Sequence, residues 1–217
     1  MKKITIFYAT RSPFKQQELD LLCQEIRYRD SSGKEHAIGE LIDFRVSGIK
    51  TDEPLEIDLE EMVRHKARSA YRDLLFPCIV EHAGLILDAY KSKGYPGGLT
   101  QPMWDALEAD DFLMKTGSAG EGATARAVVG YCDGMSVRTF VGETHGKLAT
   151  APRGSRAFYW DPIFCPDEGG GLIYAEITDK GPDGLKEKLA ISQSARAIVK
   201  FAEFLSSQKN LGLFEIS

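Results

Sequence analysis

The residues best suited to chemistry near the start of this chain are Thr10, Ser12 and Lys15. Ile4 to Tyr8 is a run of β-branched and aromatic residues and reads as a buried strand. Ser12-Pro13 reads as the N-cap and first residue of a helix, because proline loses no needed N–H there. Leu19, Leu22, Cys23 and Ile26 continue that helix with one buried face. Strand, tight loop and helix therefore aim free N–H groups and the positive end of a helix dipole at the loop. Lys15 in the first turn opposes that dipole, a cost that makes sense where an anion binds. A solvated lysine on an ordinary strand–helix turn is the competing reading. Lys66 is a second cation of interest: it follows Met62 by four residues, at the edge of an apolar helix face.

The rest of the chain must hold these groups in place. Its 217 residues, 43% hydrophobic and 10% aromatic, suffice for one full core, read as a single domain (residues 1–217) of two lobes, the second spanning roughly 85–150. The formal charge of -5 without a basic block argues against nucleic acid as a partner, whereas a phosphate-bearing small molecule needs only a few placed cations. No apolar run reaches membrane-span length, and Met1-Lys2-Lys3 leads directly into a strand, so a cytoplasmic protein is expected. Cys23, Cys78, Cys132 and Cys165 are scattered without metal-ligand spacing and read as reduced thiols.

A second strand is expected at Leu41–Val46, and a helix from Glu56 with Leu59, Met62, Val63, Ala67, Ala70 and Leu74 as its stripe. Pro77 to Val80 is a further strand, ending in Glu81-His82. A helix is expected around Met103–Leu107 and a linker over residues 116–123. Ala127–Cys132 and Met135–Val141, joined by Asp133-Gly134, form a hairpin. Thr144–Thr150 reads as another strand or its exit, residues 166–184 as a long loop, and Leu185–Leu205 as one final helix. The sum is an α/β (α+β) fold with a mixed sheet flanked by helices and a cleft between lobes.

In order and spacing, these pieces resemble the inosine triphosphate pyrophosphatases over nearly the whole chain. Thr10-x-x-x-x-Lys15 resembles that family's phosphate loop, Lys66 its second phosphate lysine, and Val80–Leu85 its acidic segment. Gly94-Tyr95-Pro96-Gly97, Gly146 with Ala151–Gly154, Phe158–Pro162, Tyr174–Glu176 and Lys188-x-x-x-Ser192 match the remaining motifs. The resemblance implies hydrolysis of ITP, dITP and XTP to monophosphate and pyrophosphate with Mg²⁺, an elongated sheet with a nucleotide cleft, and a homodimer. It assigns Thr10, Ser12, Lys15 and Lys66 to the phosphates, Phe158, Trp160 and Asp161 to the base, and Lys188 and Ser192 to the nucleotide as a whole. Arg153 falls near the base-binding stretch by the same analogy. Core packing is the plainer role for Trp160, and an exposed helix charge for Lys188.

Four positions depart from the family pattern. Ser12 stands for Asn, Tyr159 for Gly, Gln193-Ser194 for His-Arg, and His82 for the Asp that handles Mg²⁺ and activates water. Glu53 and Glu81 remain as acidic candidates for the metal, and an imidazole is a poor Mg²⁺ ligand beside a carboxylate. The expectation is therefore a protein that binds a deaminated purine triphosphate while cleaving it weakly or not at all. Such a protein is suited to act as a sensor subunit, for example with an NAD-consuming, sirtuin-like effector in antiviral defence. The alternatives are an active Mg²⁺-dependent pyrophosphatase using Glu81, Glu53 and His82 as base, and a ligand-free scaffold.

Overall fold

The computed structural model describes residues 3–156 and 158–208; Met1 and Lys2 of the leader reading lie outside them. The elements in chain order are β1 (Ile4–Ala9), α1 (Pro13–Glu25), β2 (Arg27–Arg29), β3 (Glu35–Ala37), α2 (Ile38–Leu41), β4 (Ile42–Ser47) and α3 (Leu59–Leu74). There follow β5 (Cys78–Leu87), α4 (Thr100–Ala106), α5 (Ala109–Thr116), β6 (Gly122–Cys132), β7 (Val137–Leu148), β8 (Phe164–Pro166), α6 (Tyr174–Thr178), α7 (Pro182–Ile191) and α8 (Gln193–Ser207). Six strands form a mixed sheet in the order β4-β1-β5-β6-β7-β8. β1 runs parallel to β4 and β5, and β5 through β8 pair antiparallel. The expected mixed α/β architecture is the one observed.

Strand alternation divides the core between two faces of the sheet. Ile6, Tyr8, Ile79 and Val129 pack with Ile198 and Phe201 of α8 and with Leu19 and Leu22 of α1. Cys78, Val80 and Val128 pack on the other face against Leu59, Val63 and Ala67 of α3. β1 pairs with β5 at only two positions, Phe7 with Cys78 and Tyr8 with Ile79. β5 therefore continues past the end of β1, and its next residues, Glu81 and His82, emerge where the chain turns away through Thr10–Ser12. The period of two sends Glu81 toward α1 and α8 and His82 toward α3.

Several sequence expectations need correction. The final helix is two helices: Ser192 is extended (φ -79, ψ 145), and its hydroxyl accepts the Ala195 N–H at 3.1 Å as the N-cap of α8. The expected helix at Glu56 starts at Leu59, because Asp58 caps it by accepting the N–H groups of Glu60 and Glu61. Residues 166–184 contain α6 and the start of α7, β6 already begins within the expected linker, and β7 continues unbroken to Leu148. The hairpin turn spans four residues, with Asp133 Oδ1 accepting N–H groups of Met135 and Ser136 at 3.0 Å each. The short β2–β3 hairpin, too brief to show periodicity, has no counterpart in the sequence reading.

The glycine-rich stretch has a specific use. Gly97 has φ +53, and a Cβ there would lie 2.2 Å from the Ile57 carbonyl; a Cβ at Gly98 would lie 2.2 Å from the Glu56 carbonyl. Only bare backbone lets the chain around residues 56–57 approach so closely. That approach anchors the segment carrying Glu53 beside the sheet.

Candidate active site

A cleft of about 440 Å³ lies past the C-terminal end of β1, beside the middle of β5, and is lined by every site residue expected from the sequence: Thr10, Ser12, Lys15, Glu53, Lys66, Glu81, His82, Phe158, Trp160, Asp161, Lys188 and Ser192. The loop after β1 closes on itself: Thr10 Oγ1 accepts the Ser12 N–H at 3.2 Å, and Ser12 Oγ accepts the Lys15 N–H at 3.4 Å. Lys15 thereby leaves the first turn of α1 directed at the buried carboxylate of Glu81, with which it forms an ion pair. Ser194 Oγ also donates to Glu81 Oε1 (2.6 Å), and the Tyr8 hydroxyl donates to Oε2 (2.8 Å). Burial raises the Glu81 carboxyl, but Lys15 and these hydrogen bonds outweigh it and hold the group below its ordinary value. Burial, followed by Glu81, pushes the Tyr8 hydroxyl well up, so it stays a donor.

On the α3 side, Lys66 Nζ lies 2.7 Å from Glu53 Oε1 and donates to the Glu81 carbonyl at 3.3 Å. Glu53 is partly desolvated, yet Lys66 keeps its carboxyl below the ordinary value. His82 Nδ1 lies 3.9 Å from Glu53 Oε2, and Nε2 is buried without a hydrogen-bond partner among the described residues. Burial, reinforced by Lys66, lowers the imidazole to about 4, so it is neutral near pH 7.

The opposite end of the cleft is aromatic and carries its own buried ion pair. The Phe14 and Phe158 rings lie 4.2 Å apart, and Lys188 Nζ sits 4.2 Å over the Phe158 ring. Lys188 meets Asp161 Oδ2 at 2.6 Å and Glu18 Oε1 at 3.3 Å. Burial works against the Lys188 charge, but Asp161 and Glu18 more than offset it, so the ammonium is held. Burial raises Asp161, with Lys188 opposing. Lys188 is thus a buried last-turn residue of α7, not an exposed charge at a helix start. Trp160 is 6% exposed and packs edge-on to Phe164, so most of its ring is core. Arg153 lies away from the cleft, paired with Glu176. Tyr159 has φ +28, so the backbone at this position retains a glycine-favouring conformation under a larger side chain.

Tyr8, Phe14, Glu18 and Gln101 went unnoticed in the sequence; the apolar strand and helix around them gave no sign of polar or stacking duty. Ser192 lines the cleft, although its hydroxyl is engaged by the α7–α8 break. Gln193, also at the wall, accepts from the Tyr174 hydroxyl at 3.1 Å.

For Mg²⁺, the two expected carboxylates differ. Both oxygens of Glu81 are engaged by protein donors, so a cation there competes with Lys15 and Ser194 at Oε1 and with Tyr8 at Oε2. Among the described residues Glu53 Oε2 meets nothing nearer than His82 Nδ1 at 3.9 Å, and Mg²⁺ commonly takes one or two carboxylates together with substrate phosphates. Glu53 fits that one-carboxylate mode. The cleft wall thus brings Lys15 and Lys66 together with the aromatic pair Phe14 and Phe158.

The Ham1 family model matches residues 6–204. A dITP/XTP pyrophosphatase of Methanopyrus kandleri is 35% identical over 179 residues, 79% of this chain and 90% of that protein. An inosine triphosphate pyrophosphatase of Giardia intestinalis is 33% identical over 187 residues, 79% of this chain and 85% of that one. Among solved structures, the Staphylococcus aureus Ham1 protein superposes with a TM-score of 0.67 at 20% identity, over 94% of this chain and all of that one. Among the described residues no helix is long and apolar enough to cross a membrane.

Proposed function

The chain belongs to the Ham1 family, and from that premise we propose that its cleft binds a purine nucleoside triphosphate of the dITP, ITP or XTP class and cleaves it to monophosphate and pyrophosphate. The observation that carries this reading is the convergence of Lys15, from α1, and Lys66, from α3, on one cleft whose far wall is Phe14 and Phe158. The lysines, with Thr10 and Ser12, hold the phosphates; Phe158 and Phe14 cover the base; Asp161 and Lys188 support the base end. Water forms the new bond to the α-phosphorus as pyrophosphate leaves, and His82 accepts the water proton. Glu53 would hold Mg²⁺ together with phosphate oxygens; when bound, the ion offsets the charge of the polyphosphate. Glu81 keeps Lys15 poised until the phosphates replace it.

A second reading is favoured by His82 itself. A neutral, weakly basic imidazole supplies no negative charge beside the phosphates, where the resemblance expects a carboxylate. The protein then retains the triphosphate without turnover and presents the bound state to a partner, such as an NAD-consuming effector. One experiment tests both: pyrophosphate release with Mg²⁺ and dITP, XTP, ITP, dATP or dGTP, beside calorimetric binding of the same nucleotides. Selective release for the first three supports the enzyme; binding without release supports retention; no binding to any of them removes both readings.

A further inference from the structure

The triphosphate reading leaves a charge problem. The cleft is lined by four cations, Arg11, Lys15, Lys66 and Lys188, against four carboxylates, Glu18, Glu53, Glu81 and Asp161. The three lysines are each already paired with one of those carboxylates. The cleft proper therefore offers a highly charged anion no net positive field.

The uncompensated charge lies next door. A smaller concavity of about 290 Å³ adjoins the cleft and shares Thr10, Arg11, Glu53 and Lys66 with it; its outer wall adds Lys50 and Thr51. It carries three cations and a single carboxylate, Glu53, which already faces Lys66. The side chains of Arg11 and Lys50 make no ion pair or hydrogen bond among the described residues, so both are free to meet a ligand. Arg11 reaches this place because it sits between Thr10 and Ser12, at the turn from β1 into α1, and Lys50 because β4 pairs in parallel with β1 and its chain leaves at the same end.

We propose that this annex is a subsite for the terminal phosphate of the nucleotide, with Arg11 and Lys50 as its ligands, so that the protein selects by polyphosphate length. The inference rests on the triphosphate reading of the cleft and adds what that reading lacks. Arg11 presents a planar fork suited to phosphate oxygens, and Lys50 a point charge. A monophosphate seated at the base end would not reach the annex. A triphosphate would, and inorganic tripolyphosphate could enter without a base.

The test is calorimetric titration of the full chain with ITP, IDP, IMP and inorganic tripolyphosphate, for the native protein and for R11A/K50A. Both residues are exposed and unpaired among the described residues, so the variant is expected to fold, and its thermal midpoint checks this. Affinity should fall in the order ITP, IDP, IMP. The double substitution should weaken ITP and tripolyphosphate by about tenfold and leave IMP unchanged. R11K/K50R, which keeps both charges, should restore most of the loss. Unchanged ITP and tripolyphosphate affinities in R11A/K50A would overturn the subsite while leaving the cleft reading intact. Failure of the native protein to bind any of the four would overturn both.

Discussion

The two ends of the cleft both hold buried lysine–carboxylate contacts, but they are built for different purposes. At the base end, Lys188 is closed in by Asp161, Glu18 and the Phe158 ring, and its side chain is 7% exposed. At the end proposed for the phosphates, Lys15 and Lys66 keep more of their side chains open, 21% and 12%, which in that proposal lets each turn from its carboxylate to a phosphate. One pair is completed within the protein; in the proposed function the other two are exchanged for phosphates. The comparison predicts that stability and binding separate along the cleft. The largest effect should come from Lys188→Ala, which removes the cation that pairs with both buried Asp161 and Glu18. Breaking one side of a buried pair costs about 3 to 5 kcal/mol, and urea denaturation should read a loss of that size. A loss below about 1 kcal/mol would mean that this end is as open as the other.

The next effect concerns pH and belongs to the phosphate end. His82 is held at about 4 in the folded protein, against roughly 6.5 in an unfolded chain. Near pH 7 both states are neutral and the group contributes nothing. Below about pH 6.5 the unfolded chain takes up a proton that the folded protein refuses, so stability falls until about pH 4. Glu81 acts in a lower window: its carboxyl is held below the ordinary value, so the stability it contributes is lost as pH falls through that lowered value. For His82 the full penalty is about 3 kcal/mol. His82→Gln should flatten the thermal midpoint between pH 6.5 and 4 while leaving the steeper acid limb. An unchanged profile would mean that the ring is solvated. Lys66→Ala comes third, weakening ITP binding by about tenfold, with a smaller cost in stability because Glu53 is half exposed and its unpaired charge is hydrated.

The same contrast explains what could be read from the chain. The surroundings of Lys15 and Lys66 are built from local signals: a strand, a capped helix and the stripe of α3 put each lysine at its place on a helix, while the resemblance supplied their assignment to phosphate. Their immediate partners are not local. Tyr8 and Ser194 meet on Glu81 across 73 and 113 residues, and nothing about a tyrosine in an apolar strand announces that contact. Apart from the resemblance, which assigns it to the nucleotide, Lys188 reads as a solvated helix charge, because its two carboxylates come from α1 and from the turn before β8. The break at Ser192 was hidden because apolar residues continue at helical spacing on both sides of it. A single hydroxyl that caps the next helix decides that boundary, and periodicity does not register it.

Arg153 gives the smallest effect. It lies in the motif stretch with Phe158 and Asp161, and analogy would make it a ligand of the nucleotide. Its side chain instead forks onto Glu176, with Nε to Oε1 at 2.9 Å and a terminal nitrogen to Oε2 at 3.1 Å. Glu176 also accepts the Ile173 N–H at the start of α6, so the arginine steadies a helix end on the outer surface. Because Arg153 is 45% exposed on its side chain, the pair is screened by solvent, and its loss should cost no more than about 1 kcal/mol. Arg153→Ala should therefore leave ITP affinity and the order ITP, IDP, IMP unchanged, with only a slight drop in thermal midpoint. A clear fall in ITP affinity would place Arg153 in the base end of the cleft and erase the boundary drawn here between residues that meet the nucleotide and residues that hold the wall behind it.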